Sequence, residues 1–420
     1  MRPCQARFAV APAGALTLAQ ARIALANADL AADAGGGLAL RWDDLGGADA
    51  AACERMRRDL RWLGVVWDVE IFQSERAGLY AAAAEKLKAA RRLYPCFEND
   101  DELRIKREHR ARIGRPIVYD RAMLKLTPAQ RAAAEANGKR PYWRFLLSER
   151  EIAWKDGYLG RQQVKLPTLS DPVLVRADGG AQPSLAGAVD DIELGIGLCA
   201  RSADDIANSA IQADIRAALG ENPGRIALSH LPALHDADAG KRARGLEKLT
   251  LHQLRQDGIE AAALAAYLRA LNAALDRPAR FAFGELLAMN RGVVAALAYD
   301  AVAARLPEGA DAAFWAAIRD HIDRLPEARI WWGVVHGETV APILDGAADI
   351  CAMALARMPD GPCDAGSWSA WLAALGIDAA DPQAGLLYLA LTGEEAGPPM
   401  DDLLPLLGRA RAQQRLRAVA

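Results

Sequence analysis

The sequence has little cysteine and pairs none of it. Its 420 residues hold six, Cys4, Cys53, Cys96, Cys199, Cys351 and Cys363. None shows the CxxC spacing of a zinc site or redox dithiol, and six over this length exclude a disulfide scaffold. That usage fits a reducing cytoplasm. Long apolar runs are also missing: even Val293 to Ala304 carries Asp300, so no segment reads as a membrane span. Nor is there an excess of one charge. With 51 basic and 54 acidic side chains the formal net charge is -3, so polyanion binding must come from local patches. Arg2 and the apolar stretch from Phe8 imitate an export signal, but Gln5, Arg7, Pro12 and Gly14 interrupt it, and none is expected. No internal repeat and no low-complexity tract stands out beyond an alanine bias.

What is present is the makings of a large core. The chain is 52% hydrophobic and 25% charged, which excludes disorder, and its length corresponds to two or three domains at roughly 150 residues each. The opening reads strand, loop, helix, strand. Arg7 to Val10 is a short apolar strand, Ala11 to Gly14 a turn of small residues, and Thr17 to Ala32 carries apolar residues at helical spacing. Gly35-Gly36-Gly37 ends the helix, and Leu38 to Trp42 reads as a second strand. Such a start suggests a parallel nucleotide-binding sheet. Cys53, Met56, Leu60 and Leu63 mark a helix, after which Val65-Val66-Trp67 is expected as a strand.

Residues 101–150 differ in character, with thirteen lysines and arginines against six acids. Tyr119, Tyr142, Trp143 and Phe145 sit among these charges. The segment reads either as a phosphate-backbone contact with aromatics for stacking or as a solvated helical face. From about residue 245 onward the pattern is almost wholly helical, broken near Pro307-Glu308-Gly309 and Pro359 to Pro362, with Trp315, Trp331, Trp332, Trp368 and Trp371 expected in its core.

A series of landmarks runs along the chain. Early ones are Arg7-Phe8-Ala9, Pro12-x-Gly14, Ala21-Arg22 and Leu40-Arg41-Trp42-Asp43-Asp44. Gln73-Ser74-Glu75-Arg76, Gly114-Arg115-Pro116, Tyr119-Asp120-Arg121 and Trp154-x-Asp156 follow. Val189-Asp190-Asp191, His230-Leu231-Pro232, Arg255-x-Asp257-Gly258-Ile259 and Leu391-Thr392-Gly393 complete it. Their order resembles the glutamyl-tRNA synthetases, class I enzymes that join glutamate to tRNA, especially the alphaproteobacterial branch. The resemblance implies an α/β plus all-α architecture. A Rossmann-like catalytic domain (1–80 and 169–245) is split by an acceptor-end-binding insertion (81–168). A helical junction (246–310) and a helical anticodon-binding domain (311–420) then follow. The basic stretch falls in the insertion, making Arg107, Arg110, Arg115, Arg121 and Arg140 candidates for tRNA contact. The family's zinc is not expected, because Cys96 lacks a nearby partner.

The resemblance also locates an active site, and that site is altered. Attack of the glutamate carboxylate on the α-phosphate of ATP builds negative charge that fixed donors must meet. The family's HIGH-type motif falls on Thr17-Leu18-Ala19-Gln20, with the imidazole replaced by a hydroxyl and Gln20 keeping an amide. Ala19 replaces a glycine that, beside Gly14, lets the nucleotide approach the backbone. The KMSKS-type loop falls on Arg242-Ala243-Arg244-Gly245. Arg244 keeps the charge of the essential lysine, while Lys241 and Arg242 leave either a phosphate contact or merely a basic surface loop. In the amino-acid pocket Arg7 and Arg201 match the family's arginines and Asp43 replaces a glutamate, whereas a tyrosine has become Pro183 and an asparagine Ser184. Arg7 and Arg201 either clamp a carboxylate or pair with Asp204 or Asp205.

Losing one preorganised donor typically costs about two to three orders of magnitude in rate. The resulting expectation is a degenerate paralogue that keeps the fold and tRNA binding, with weak or lost ATP-dependent glutamate activation. The alternatives are an active glutamate–tRNA ligase using the substituted residues, which would need ATP and Mg2+, and an enzyme changed to another acid. A monomer is the family norm.

Overall fold

Strand β1 (Cys4–Val10) alternates its side chains between two covered faces and buries Ala6, Phe8 and Val10. Its neighbour β2 (Gly37–Trp42) is buried along its whole length, as a strand inside a parallel sheet must be. The two are joined through helix α1 (Leu18–Asp33), and β3 (Val69–Phe72) extends the sheet beyond β2 after helix α2 (Ala50–Trp62). Much later the chain returns to the other side of β1 with β9 (Leu198–Ser202) and β10 (Ala227–Leu231). The five strands are all parallel in the order β10-β9-β1-β2-β3. The direction of winding therefore reverses between β1 and β9, and the carboxyl ends of those strands flank the crevice where such sheets bind ligands.

The computed structural model describes residues 4–222, 224–237, 246–273, 279–337 and 346–420. Between β3 and β9 lies a long excursion. Strands β4 (Leu93–Cys96), β5 (Tyr142–Phe145) and β8 (Val173–Val175) form an antiparallel sheet, and β6 (Glu151–Asp156) and β7 (Gly160–Lys165) a hairpin. Helices α3 (Ala77–Ala89) and α6 (Pro183–Glu193) pack near this sheet, while α4 (Asp100–Arg112) and α5 (Pro128–Ala136) lie between β4 and β5. Helix α4 begins with an Asn99–Glu102 capping box and three acids, and ends in His109, Arg110 and Arg112, an arrangement matched to its dipole. Leu103 is its one buried residue. Helix α7 (Ile206–Ala218) follows β9.

The expected strand at Val65–Trp67 does not form. Gly64, at φ +86°, ends α2 by turning the chain so that the Val65 amide reaches the Leu60 carbonyl, and Val66 is left 75% exposed. The strand begins four residues later, at Val69.

The chain divides into two compact units, one of residues 1–252 and 268–281, the other of 253–267 and 282–420. The second is built from helices, including Phe283–Ala296, Ala328–His336, Ser367–Leu375, Pro382–Thr392 and Arg409–Val419. Trp315, Trp331, Trp368 and Trp371 are buried in its core as expected, whereas Trp332 packs on its margin.

Candidate active site at the sheet switch point

The loop after β1 leads into α1 through Gly14, whose φ of +75° favours glycine. Thr17 is the N-cap of α1. Its hydroxyl accepts from the Gln20 amide at 3.3 Å, and the Gln20 side-chain oxygen accepts from the Thr17 amide at 2.9 Å and its hydroxyl at 3.1 Å. The Leu18 amide donates to the Leu249 carbonyl at 3.0 Å. A helix N-terminus normally offers such groups to an anion; here three backbone donors at the start of α1 already have partners. Ala19 is exposed beside them. Lys241, Arg242 and Arg244 lie outside the described residues.

Arg7 points into the protein, not out of the crevice. It is 4% exposed, and its Nε donates to Asp191 Oδ1 at 2.5 Å, with Nη2 3.3 Å from Oδ2. Arg41 lies 3.5 Å and Arg216 3.9 Å from the same carboxylate. Burial alone would raise the Asp191 carboxyl, but Arg7, Arg41 and Arg216 outweigh it and hold the group below its ordinary range. Burial likewise opposes the charge on Arg7, and Asp191 reverses the effect, so the guanidinium is held more firmly charged than usual. Asp43 is engaged as well: Arg41 Nε donates to it at 2.7 Å. Asp190, one residue from Asp191, gathers Gln73, Arg76 and the Tyr80 hydroxyl at 2.8 to 3.2 Å.

Arg201, at the carboxyl half of β9, is arranged differently. Its Nη1 donates to Ser209 Oγ at 3.1 Å and to Gln212 Oε1 at 3.0 Å, both on α7. Its Nη2 is 3.7 Å from Asp205. Behind Ser209, His230 Nε2 lies 2.8 Å from the hydroxyl and His230 Nδ1 2.5 Å from Asp156 Oδ2. Of the acids named as alternative partners, Asp205 approaches Arg201 to 3.7 Å without a hydrogen bond, whereas Arg7 is paired with Asp191.

The candidates in the basic segment also differ from one another. Arg107, Arg115 and Arg140 are exposed. Arg110 donates to the Pro116 carbonyl at 2.8 Å. Arg121 grips both oxygens of Asp171, at 2.9 and 3.0 Å, and reaches Glu149 at 2.7 Å. Arg107 and Arg110 line a cleft with Lys106, Tyr119 and Arg144. Phe145 is fully buried, so it offers no ring to a base, and the Arg144 guanidinium already sits 4.0 Å over the Tyr119 ring. Cys96 lies 3.6 Å from the Tyr119 hydroxyl, and burial pushes its thiol up to about 11.

Sequence reasoning did not single out Asp191, Arg41, Ser209, His230 or Asp156 as site residues. The signal was available in part, since Val189-Asp190-Asp191, Trp154-x-Asp156 and His230-Leu231-Pro232 stood among the landmarks.

Residues 3–282 match the model of the class I tRNA synthetases for E and Q, catalytic domain. A glutamate–tRNA ligase 2 from Granulibacter bethesdensis is 46% identical over 98% of this chain and 97% of its own length. Another from Gluconacetobacter diazotrophicus is 44% identical over 99% of each. Among solved structures, a glutamate tRNA ligase from Elizabethkingia meningosepticum, in complex with its amino acid, superimposes with a TM-score of 0.83 over 99% of each chain at 18% identity.

Proposed function

From its membership of the class I tRNA synthetases for glutamate and glutamine, to which this chain belongs, we propose that it keeps the scaffold and binds tRNA while ATP-dependent glutamate activation is weak or lost. The observation that carries this reading is the state of the crevice. Thr17, which replaces the motif's imidazole, spends its backbone amide and its hydroxyl on the Gln20 side-chain oxygen, while the Gln20 backbone amide is spent on the Thr17 hydroxyl. Donors bonded in this way must break those bonds before they can meet a developing phosphorane charge, which leaves the Gln20 side-chain nitrogen as the donor this motif can offer.

The amino-acid pocket supports the same reading. Arg7 is compensated by Asp191 and Asp43 by Arg41, so neither is poised for a substrate carboxylate or ammonium. The residues that would meet ATP are Gly14, Ala19, Lys241, Arg242 and Arg244. Among the described residues no group of three His, Cys, Asp or Glu side chains is placed to hold a metal. Mg2+ is commonly carried by a nucleotide's phosphates together with one or two carboxylates.

The tRNA-binding half of the proposal rests on the insertion. Arg107, Arg115 and Arg140 are exposed, and among the described residues no ion pair compensates them. Such cations are free to exchange counterions for phosphates. Arg110 stands beside them, and Arg121 braces the segment through Asp171. The curated relatives named above are glutamate–tRNA ligases, which makes a glutamate-type tRNA the first choice to test.

The test combines two measurements on the full chain. Glutamate-dependent ATP–pyrophosphate exchange, with and without tRNA, is expected to stay at background while filter binding retains tRNA. Robust exchange would overturn the lost-activation reading, and absence of tRNA retention would overturn the other half.

A further inference from the structure

One chain of buried polar groups links the β6–β7 hairpin to the edge of the crevice. Asp156 closes the hairpin strand β6, His230 lies in β10, Ser209 on α7 and Arg201 in β9. Asp156, Ser209 and His230 are 3%, 2% and 0% exposed, so their hydrogen bonds are fixed by one another and not by solvent.

The donor pattern is resolved by elimination. Burial alone would raise the Asp156 carboxyl, but the His230 amide and ring and the Trp154 ring hold it below its ordinary range, so it accepts. His230 Nδ1 therefore carries the proton that Asp156 receives at 2.5 Å. Asp156 also accepts from the His230 amide at 2.8 Å, which fixes backbone and ring together. On the far side Ser209 Oγ accepts a hydrogen of Arg201 Nη1, and Gln212 Oε1 accepts the second. Both hydrogens of Nη1 are thereby committed inward. A guanidinium carries five donors in a rigid fork, so fixing one nitrogen orients the rest.

We propose that Asp156, His230 and Ser209 are positioning residues that orient Arg201 so that its Nη2 edge meets a carboxylate at the mouth of the β1–β9 crevice. The place in the fold supports a ligand there, because the carboxyl ends of the strands flanking a reversal of winding line the binding crevice. Arg201 is also the better placed of the two arginines. Arg7 has a buried carboxylate at 2.5 Å, whereas the acid nearest Arg201 stands at 3.7 Å, beyond hydrogen-bond range. The inference rests on reading Arg201 as the acid-binding arginine; it does not depend on whether activation has been lost.

The experiment is calorimetric titration of the full chain with L-glutamate and, separately, with ATP, on the wild type, Ser209→Ala and Ser209→Thr. Removing the hydroxyl should weaken glutamate binding about ten-fold, as expected for one hydrogen bond to a charged group. Ser209→Thr, which restores the acceptor, should recover most of that loss, and ATP affinity should be unchanged in both variants. If Ser209→Ala does not fold, Gln212→Met, which removes the other acceptor of the same nitrogen, carries the same test. The proposal is overturned if the folded variant binds glutamate as the wild type does, if both ligands weaken together, or if the wild type binds no glutamate. High pyrophosphate exchange would sink the lost-activation reading and leave this one standing.

Discussion

The commitment of single side chains decides what the crevice can do, and Asp191 shows it most clearly. Its carboxylate lies within 4 Å of three guanidiniums, of Arg7, Arg41 and Arg216, and all four side chains are at most 5% exposed. Replacing one partner of such a group leaves uncompensated buried charge, so Asp191→Asn should destabilise the first unit by about 3–5 kcal/mol in urea unfolding. The pH dependence follows from the sign of the shift. Asp191 is held below its ordinary 3.8, so its contribution is complete above that value. It is lost as pH falls through the lower folded value, because the unfolded chain then binds the proton more readily. Wild-type stability should therefore fall on acidification below about pH 4, and Asp191→Asn should flatten that part of the curve. An unchanged acid limb would show that the cluster does not set it.

At the scale of elements, the N-terminus of α1 and the ends of the C-terminal helices invite opposite expectations. Thr17→Ala removes a cap and should cost about 1 kcal/mol of stability, read as a lower urea midpoint, without changing ATP affinity, since Thr17 already bonds within the helix start. A loss of ATP affinity in the folded variant would instead reveal a part in nucleotide binding. In the second unit Arg415 donates to the Leu391 and Val334 carbonyls, each in the last turn of a helix, and to Gly337. Arg415→Met would strand those buried acceptors and should cost about 1–3 kcal/mol, measured as a lower midpoint of the helical unit's transition. These elements were largely legible beforehand. Helix α1 begins one residue after the expected Thr17 and ends one after Ala32, and β2 differs by one residue, because apolar spacing and the glycine run report local geometry directly. The strand at Val65–Trp67 was misplaced because a β-branched run after Gly64 has the same composition whether it pairs or closes a helix. The site was legible only as positions. Arg7 meets Asp191 across 184 residues, and Arg201 meets Ser209 and Gln212 through a helix packed on the strand, and no periodicity encodes which acid a given arginine finds.

For the whole molecule the governing quantity is how charge is distributed, since its sum is close to neutral. A chain of net charge -3 has no long-range pull on a polyanion, and at physiological salt exposed charges are screened beyond about 8 Å. Any tRNA affinity of the first unit must then come from the local surplus of seven positive charges in residues 101–150, and part of that surplus is already spent. Arg104 is bonded to Asp101 and Glu108, Lys106 to Glu98 and Asp120, and Arg121 to Asp171 and Glu149. What remains for phosphates includes Arg107, Arg115 and Arg140. Each phosphate contact contributes roughly 0.9 to the slope of log affinity against log salt on a duplex. The triple replacement of these three by alanine should therefore reduce the magnitude of that slope by about two to three, with weaker binding at low salt and a converging affinity at high salt. Arg58→Ala, which removes an exposed cation from α2 outside the segment, should leave the slope unchanged. Equal effects of the two changes would mean that tRNA senses only the overall field, and the assignment of the insertion as its contact surface would fall.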